Sequence, residues 1–138
     1  MPRQSRKNAM PIALAFADAI NHQNVEAIAN LMTEDHVFID GLGMRVEGRQ
    51  RMRTGWEGYF RMVPDYSITV EEIFLEGPVV VMLGTAQGTY SSDGALHPEN
   101  RWMTPAAWRA LIRGSRLAAW RVYADNEPIR QIMVRNRR

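Results

Sequence analysis

The chain has 138 residues, of which 46% are hydrophobic and 23% charged, a composition typical of one globular domain rather than a disordered chain. It contains no cysteine, which excludes thiol nucleophiles, disulfides and thiolate zinc sites. Six of its 17 basic residues lie in residues 1–7 and 135–138. The rest of the chain has 11 basic and 15 acidic residues, which gives this part a net charge of −4. We therefore expect no nucleic-acid partner, because a body of this charge repels phosphates.

The two ends of the chain are basic and polar. Residues 1–8 are expected to form a disordered basic leader, and residues 135–138 a solvated basic tail. The chain has no run of 18 apolar residues and no apolar segment after its basic start, so no membrane span or secretory signal is predicted. We expect no membrane partner and a cytoplasmic location.

The first half of the chain has helical periodicity. An alanine-rich amphipathic helix is predicted over Ala9–Asn21, and a second helix follows Asn24 as its N-cap and ends near Thr33. A short strand is predicted over His36–Asp40. A third helix is predicted over Arg49–Met62, and Pro64 ends it.

The second half of the chain changes to a period of about two, which predicts strands. The predicted strands are Ser67–Leu75, Val79–Tyr90, Trp102–Ile112 and Leu117–Asp125. Turn residues between neighbouring strands predict antiparallel hairpins. The long segment Ser91–Asn100 is interpreted either as a lid or as an extended hairpin end.

Helices followed by a meander of strands predict an α+β fold, with about three N-terminal helices packed on one face of a curved antiparallel sheet. Such helices and such a sheet enclose a cone. The mouth of the cone is the expected place for a ligand, and its walls are apolar.

Asp40 lies at the end of the first predicted strand, directly before a glycine-containing turn, in the segment VFIDGLG at residues 37–43. Phe38 shares a strand face with Asp40 and is expected to point into the interior. A carboxylate inside an apolar cone loses hydration and becomes a competent general base near neutral pH. Alternatively, Asp40 accepts turn N–H bonds from Leu42 or Gly43 and only closes the turn.

The order of these elements, with HVFIDGLG at residues 36–43 and WRVYADNEP at residues 120–128, resembles the nuclear transport factor 2-like superfamily in its SnoaL-like and ketosteroid isomerase-like branch. The resemblance implies a cystatin-like cone, one SnoaL-like domain over residues 9–134, a homodimer formed through the outer sheet face, and a small apolar ligand. It does not imply one activity, because this superfamily includes isomerases, hydrolases, cyclases, dehydratases and proteins without chemistry.

The resemblance carries over to single residues only in part. Asp40 matches the general base of ketosteroid isomerases, but their oxyanion-hole positions hold Phe16 and Trp120, of which only Trp120 offers an N–H donor. The catalytic positions of limonene epoxide hydrolases hold Leu83, Thr85 and Val122, so epoxide opening by that route is not expected. Asp125 aligns loosely with the acid/base of SnoaL-type polyketide cyclases, and closing a turn is the alternative role.

The resemblance also places Trp120 and Val122 inside the cone. With Asp40 as the candidate catalytic residue, the candidate ligand-binding residues are Phe16, Phe38, Trp56, Tyr59, Thr85, Trp120 and Val122. Ordinary core packing is the alternative for the aromatic residues among them. Thr85 shares a strand face with Leu83 and Gln87 and could add one hydrogen bond to a ligand or to the backbone.

The three histidines lack the spacing of a metal cluster, and no phosphate-binding glycine loop or nucleophile elbow is found, so no metal or cofactor is expected. Three functions stay open. The chain is a cofactor-independent isomerase, cyclase or hydrolase that uses Asp40 on an apolar or polycyclic substrate, a non-catalytic ligand-binding protein, or a dimeric interaction module whose cone is filled with side chains.

Overall fold

A computed structural model describes residues 6–137 and shows an α+β fold in which helices pack on a six-stranded sheet, as the sequence predicted. The helices are α1 (Arg6–Asn21), α2 (Val25–Asn30), α3 (Arg49–Met62) and α4 (Glu127–Asn136). The strands are β1 (Met32–Ile39), β2 (Arg45–Glu47), β3 (Ser67–Glu76), β4 (Val79–Thr89), β5 (Arg101–Arg113) and β6 (Arg116–Ala124). Their order in the sheet is β2-β1-β6-β5-β4-β3.

The long hairpins of the second half agree with the predicted strands within one or two residues. β3, β4, β5 and β6 pair with their chain neighbours in antiparallel fashion. The sheet is mostly antiparallel, as predicted, and the one parallel pair within residues 6–137 joins β1 to β6. Register shifts interrupt three strand pairs, and such bulges bend and twist a sheet.

The boundary between α2 and β1 differs from the prediction. Asn24 caps α2 as expected, with its Oδ1 accepting the Ala27 N–H at 3.1 Å, but the helix already ends at Asn30. Met32 is fully buried and begins β1, which pairs with the distant β6. A pairing partner from the far end of the chain therefore outweighs the local helical pattern that ran to Thr33.

Both chain ends are more ordered than predicted. α1 begins at Arg6, so residues 6–8 are helical rather than part of a disordered leader, while residues 1–5 lie outside the described residues. α4 was not predicted. It buries Ile129 and Ile132, and Arg135 donates to the Glu99 carbonyl at 2.6 Å, so the expected tail begins inside a docked helix.

The core lies between the helices and one sheet face. Among its largest fully buried side chains are Phe16 of α1 and Trp108 and Trp120 of the sheet. The Phe16 and Trp120 rings pack with their centroids 4.8 Å apart. This packing fills the centre of the predicted cone, and the space that stays open lies to one side of it.

Candidate functional site

A cavity of about 260 Å³ opens between α3 and the helix-facing side of the sheet. Its walls are mainly apolar and come from β1, β2, α3, β4, β5 and β6. The apolar lining includes Phe38, Val46, Met52, Trp56, Ala86 and Val122. The polar groups on the wall belong to Asp40, Tyr59, Tyr66, Trp102 and Asn126. This is the arrangement of a small-molecule site, in which a few polar groups orient a ligand within apolar walls.

Helix α3 supplies the aromatic side of the cavity. Trp56 and Tyr59 are three residues apart, and their rings meet edge to face at 6.2 Å and 89°. Tyr59 meets Tyr66 in the same way at 4.9 Å and 88°. Burial raises the pKa of both tyrosine hydroxyls well above the usual value, so both remain protonated donors at neutral pH.

Asp40 follows the last residue of β1 and lies on the cavity wall. Its Oδ1 accepts the backbone N–H groups of Leu42 and Met44, both at 2.9 Å. The Asp40 backbone closes the same loop, because its N–H donates to the Met44 carbonyl at 3.0 Å. Both sequence interpretations thus describe part of the geometry: the residue caps its turn and also faces the cavity.

The second carboxylate oxygen of Asp40 is not used in this turn. Within residues 6–137, Oδ2 accepts no hydrogen bond. A Cβ placed on Gly41 would lie 3.1 Å from both the Ala124 carbonyl oxygen and the Asn126 Nδ2. The segment after β6 therefore lies close to Gly41, and the Asn126 amide lines the cavity together with Asp40. The Asn126 side chain makes no cap hydrogen bond to α4.

Four of the predicted ligand-binding residues line the cavity: Phe38, Trp56, Tyr59 and Val122. Three do not. Phe16 and Trp120 lie in the core, at 0% and 1% exposure, because they stack on each other instead of facing the open space.

Thr85 is the third residue outside the cavity lining, because it lies on the opposite sheet face, where its hydroxyl is 3.5 Å from a Glu71 carboxylate oxygen. The buried β4 residues Val80, Met82 and Ala86 lie on the face towards the helices. The apolar run at residues 79–83 gives no alternation from which this phase could have been read.

Sequence reasoning missed Tyr66, Trp102 and Asn126 as cavity residues. Trp102 has the same strand phase as the buried Trp108, six residues later, so the phase of β5 would have pointed to it. Tyr66 precedes β3 and carries no periodic signal. Asp125, the loosely aligned acid, does not line the cavity, and its Oδ1 accepts the Glu127 N–H at 2.9 Å as a turn cap.

The histidines stay away from the cavity wall. His36 is fully buried, its Nδ1 donates to the Leu117 carbonyl at 2.7 Å, and burial lowers its pKa, so the ring is neutral. His97 is exposed and pairs with Asp93 at 2.8 Å. In the described part of the chain, no three potential ligand side chains cluster as a metal site would require. None of the helices over residues 6–137 is long and apolar enough to cross a membrane.

Comparison with known proteins supports this fold. The family model of the SnoaL-like domain matches residues 13–124. No curated protein sequence matches the chain. A protein proposed to be a SnoaL-like polyketide cyclase from Shewanella denitrificans OS-217 superposes with a TM-score of 0.79 and 17% identity, covering 94% of this chain and 99% of that one.

Two further solved structures show how varied the proteins with this fold are. A hypothetical protein with a ketosteroid isomerase-like fold from Catenulispora acidiphila DSM 44928, in complex with trimethylamine, has a TM-score of 0.73 and 20% identity over 83% of this chain and 85% of that one. A LEH-like epoxide hydrolase from M. tuberculosis has a TM-score of 0.76 and 17% identity over 94% and 91%. At these identities the likeness shows the fold alone.

Proposed function

The chain belongs to the SnoaL-like domain family, and from this premise we propose that it binds a small, largely apolar molecule in the cavity and uses Asp40 as acid/base on it. The reaction class is a cofactor-independent isomerisation, cyclisation or hydrolysis. The observation that carries the proposal is the Asp40 carboxylate on the wall of a mainly apolar cavity, with one oxygen fixed by two N–H groups and the other accepting no hydrogen bond within residues 6–137.

The two turn N–H bonds support a catalytic role because they hold the carboxylate in one orientation. A general base must reach the proton it removes within hydrogen-bond distance, and a fixed side chain meets this condition without ordering on binding. The remaining oxygen is the atom that would exchange the proton. No other carboxylate or imidazole lines the cavity within residues 6–137, so the proposal rests on Asp40 alone.

A non-catalytic ligand-binding protein is the second candidate. The Asp40 carboxylate already has a structural function in its turn, and this favours a role in orienting a ligand rather than reacting with it. The Catenulispora acidiphila protein of the same fold holds trimethylamine, which supports small-molecule binding in either case. The open cavity argues against a cone filled with its own side chains.

We further propose that two copies of the chain pair through the outer sheet face. This face carries large apolar side chains that the helices do not cover, including Met103 at 60% and Phe74 at 56% exposure. Large exposed apolar side chains on one face support an interaction site there. A second copy supplies the same surface, so the contact is self-complementary.

The Asp40→Asn variant tests the catalytic role. Asparagine retains an acceptor oxygen for the turn but cannot take up a proton at neutral pH, so the loop stays formed while the base is removed. Candidate substrates come from thermal-shift screening of small apolar compounds, followed by turnover measurements on those that bind. We expect turnover to fall by about a hundredfold or more, with the dissociation constant of a neutral ligand nearly unchanged.

The Asp125→Asn variant is the matched control, because it also keeps a turn cap and lies outside the cavity lining. Its turnover should equal that of the unchanged protein. Equal turnover in Asp40→Asn would remove Asp40 from the mechanism. Tight binding without turnover of any screened compound would favour the non-catalytic candidate.

A further inference from the structure

We propose that Trp102 and Tyr66 form a donor pair on the cavity wall that binds an acceptor oxygen of the ligand, such as a ketone carbonyl. The inference rests on the proposed function, because it assumes that a small molecule occupies the cavity. It goes further by stating what the ligand carries besides apolar surface. The pair would also donate hydrogen bonds to a substrate oxygen, a role that the sequence did not assign to Phe16 or Trp120.

Trp102 carries a buried donor without a protein acceptor. The residue lines the cavity and is 6% exposed, and its Nε1–H has no hydrogen-bond partner in the described part of the chain. An indole nitrogen can only donate, so it needs an acceptor oxygen or a ring face. The one ring that packs on Trp102 within residues 6–137 is Tyr66, at 6.1 Å and 33°, which is too nearly parallel to receive the N–H.

Tyr66 adds a second donor beside the first. It also lines the cavity, at 7% exposure. Its phenol O–H can donate one hydrogen bond. Burial keeps the phenol protonated, since it raises the pKa of Tyr66 far above neutral pH.

Trp56 differs from Trp102 although its Nε1–H also lacks a hydrogen-bond partner. Three rings stand nearly perpendicular to its indole: Phe16 at 74°, Phe38 at 70° and Tyr59 at 89°. A ring at such an angle can offer its face to an N–H. Trp102 has no perpendicular ring beside it within residues 6–137, so we infer a ligand acceptor for Trp102.

The pair and Asp40 lie at different places on the cavity wall. Asp40 follows β1 and Trp102 begins β5, with β6 between these strands. Ile39 pairs with Arg121 and Arg121 with Arg109, so Trp102 also lies several residues further along the sheet than Asp40. A ligand that meets both sites therefore extends along the cavity, with an acceptor oxygen at one end and an acidic C–H or a donor towards Asp40.

Matched probes test the inference directly. The compounds are 1-tetralone, a two-ring ketone, and tetralin, the hydrocarbon of the same skeleton. The chain has four tryptophans, so the indole region of a ¹H–¹⁵N spectrum has four signals, assigned with single Trp→Phe variants. We expect 1-tetralone to shift the Trp102 Nε1–H signal downfield, as hydrogen bonding does, while tetralin leaves it nearly in place. Trp120 lies outside the cavity lining and provides the internal reference.

Affinities give a second, independent measurement. The ratio of the tetralin to the 1-tetralone dissociation constant measures the preference for the ketone and cancels most differences in fold stability. We expect the Trp102→Phe variant to reduce this preference by about three- to tenfold, the usual value of one neutral hydrogen bond. Trp120→Phe, the matched control, should leave it unchanged.

The outcomes separate the inference from the proposed function. If both probes bind and the Trp102 signal shifts equally with each, or the preference survives in Trp102→Phe, the donor pair is wrong while small-molecule binding stands. If neither these probes nor a wider apolar panel binds, the proposed function fails and the inference fails with it. A ketone-specific shift at Trp102 supports the inference even where Trp102→Phe does not fold.

Discussion

At the residue scale, the site depends on a side chain that has two functions. Asp40 orders the loop at residues 41–44 through one oxygen and also lies on the cavity wall. The sequence showed the carboxylate, the following glycines and the face shared with Phe38. It could not show that the carboxylate lies on a cavity wall, because that wall depends on the approach of β6, which comes from the other end of the chain.

Replacing Asp40 with alanine should cost stability, whereas replacing it with asparagine should not. Alanine removes the acceptor for the Leu42 and Met44 N–H groups, and the loss of such a cap costs about 1 kcal/mol of unfolding free energy. Asparagine keeps one acceptor oxygen and should stay within about 0.5 kcal/mol of the unchanged protein. Urea unfolding of both variants measures the difference, and equal losses would show that the cap contributes nothing.

His36 makes stability depend on pH. Burial lowers the pKa of this histidine, so the folded chain stays neutral there while the unfolded chain takes up a proton near 6.5. As the pH falls through 6.5, the unfolded state binds more protons, and the unfolding free energy decreases by at most about 1.4 kcal/mol per pH unit for this one group. The contribution is therefore fully present above 6.5 and lost towards acid.

Urea unfolding between about pH 5.5 and 7.5 measures this slope above the range where most carboxylates titrate. His36→Asn should flatten it, because the amide can donate to the Leu117 carbonyl but does not titrate. The exposed His22, replaced in the same way, is the control for the loss of an imidazole as such. His97 acts in the opposite direction, since its pairing with Asp93 raises its pKa. An unaltered slope in His36→Asn would contradict the prediction.

At the element scale, the long strands were predictable and the short elements were not. Apolar or alternating runs with turn residues at their ends locate β3 to β6 to within one or two residues. β2 has only three residues and pairs with β1. α4 has a helical pattern of apolar residues among its arginines, but no helix was predicted there.

Gly84 is where β3 and β4 approach each other most closely. A Cβ added there would lie 1.7 Å from the Thr69 carbonyl oxygen, a backbone atom that cannot move without opening the strand pair. We expect Gly84→Ala to lower the unfolding free energy by about 3 kcal/mol or more, measured by urea unfolding.

The same substitution in α3 should have the opposite effect. A Cβ at Gly58 meets only the flexible end of Arg61, at 3.7 Å, and alanine favours a helix interior over glycine by about 0.5–1 kcal/mol. Gly58→Ala is therefore expected to stabilise the chain. Similar losses for both variants would mean that the strand contact is not the cause.

At the scale of the whole molecule, the sequence predicted the fold class but could not predict the location of the cavity. The amphipathic helices and the meander of strands predict the layers. Which aromatic residues fill the core and which line the open space depends on packing between distant elements. Phe16 and Trp120 are core residues for that reason, whereas Tyr66 and Trp102 line the cavity.

The proposed dimer predicts a mass of twice 15.8 kDa in light scattering after size-exclusion chromatography. Met103→Glu should convert it to the monomer, because a charge buried in an apolar interface without a partner is costly. Leu14→Glu is the control, since Leu14 lies on α1, away from the outer sheet face, and is 38% exposed. A monomer in the unchanged protein, or a dimer that persists in Met103→Glu, would refute the proposed interface.

The parallel pairing of β1 with β6 has a consequence for synthesis on the ribosome. His36 and the Leu117 carbonyl, which this pairing joins, are 81 positions apart in the chain. A nascent chain therefore carries Asp40 outside the exit tunnel long before Val122 and Asn126 emerge to complete the wall around it. Contacts between such distant residues form late in folding. The cavity wall is thus complete only after β6 and the residues that follow it have been synthesised, and a chain truncated before β6 lacks Val122, Ala124 and Asn126 of that wall.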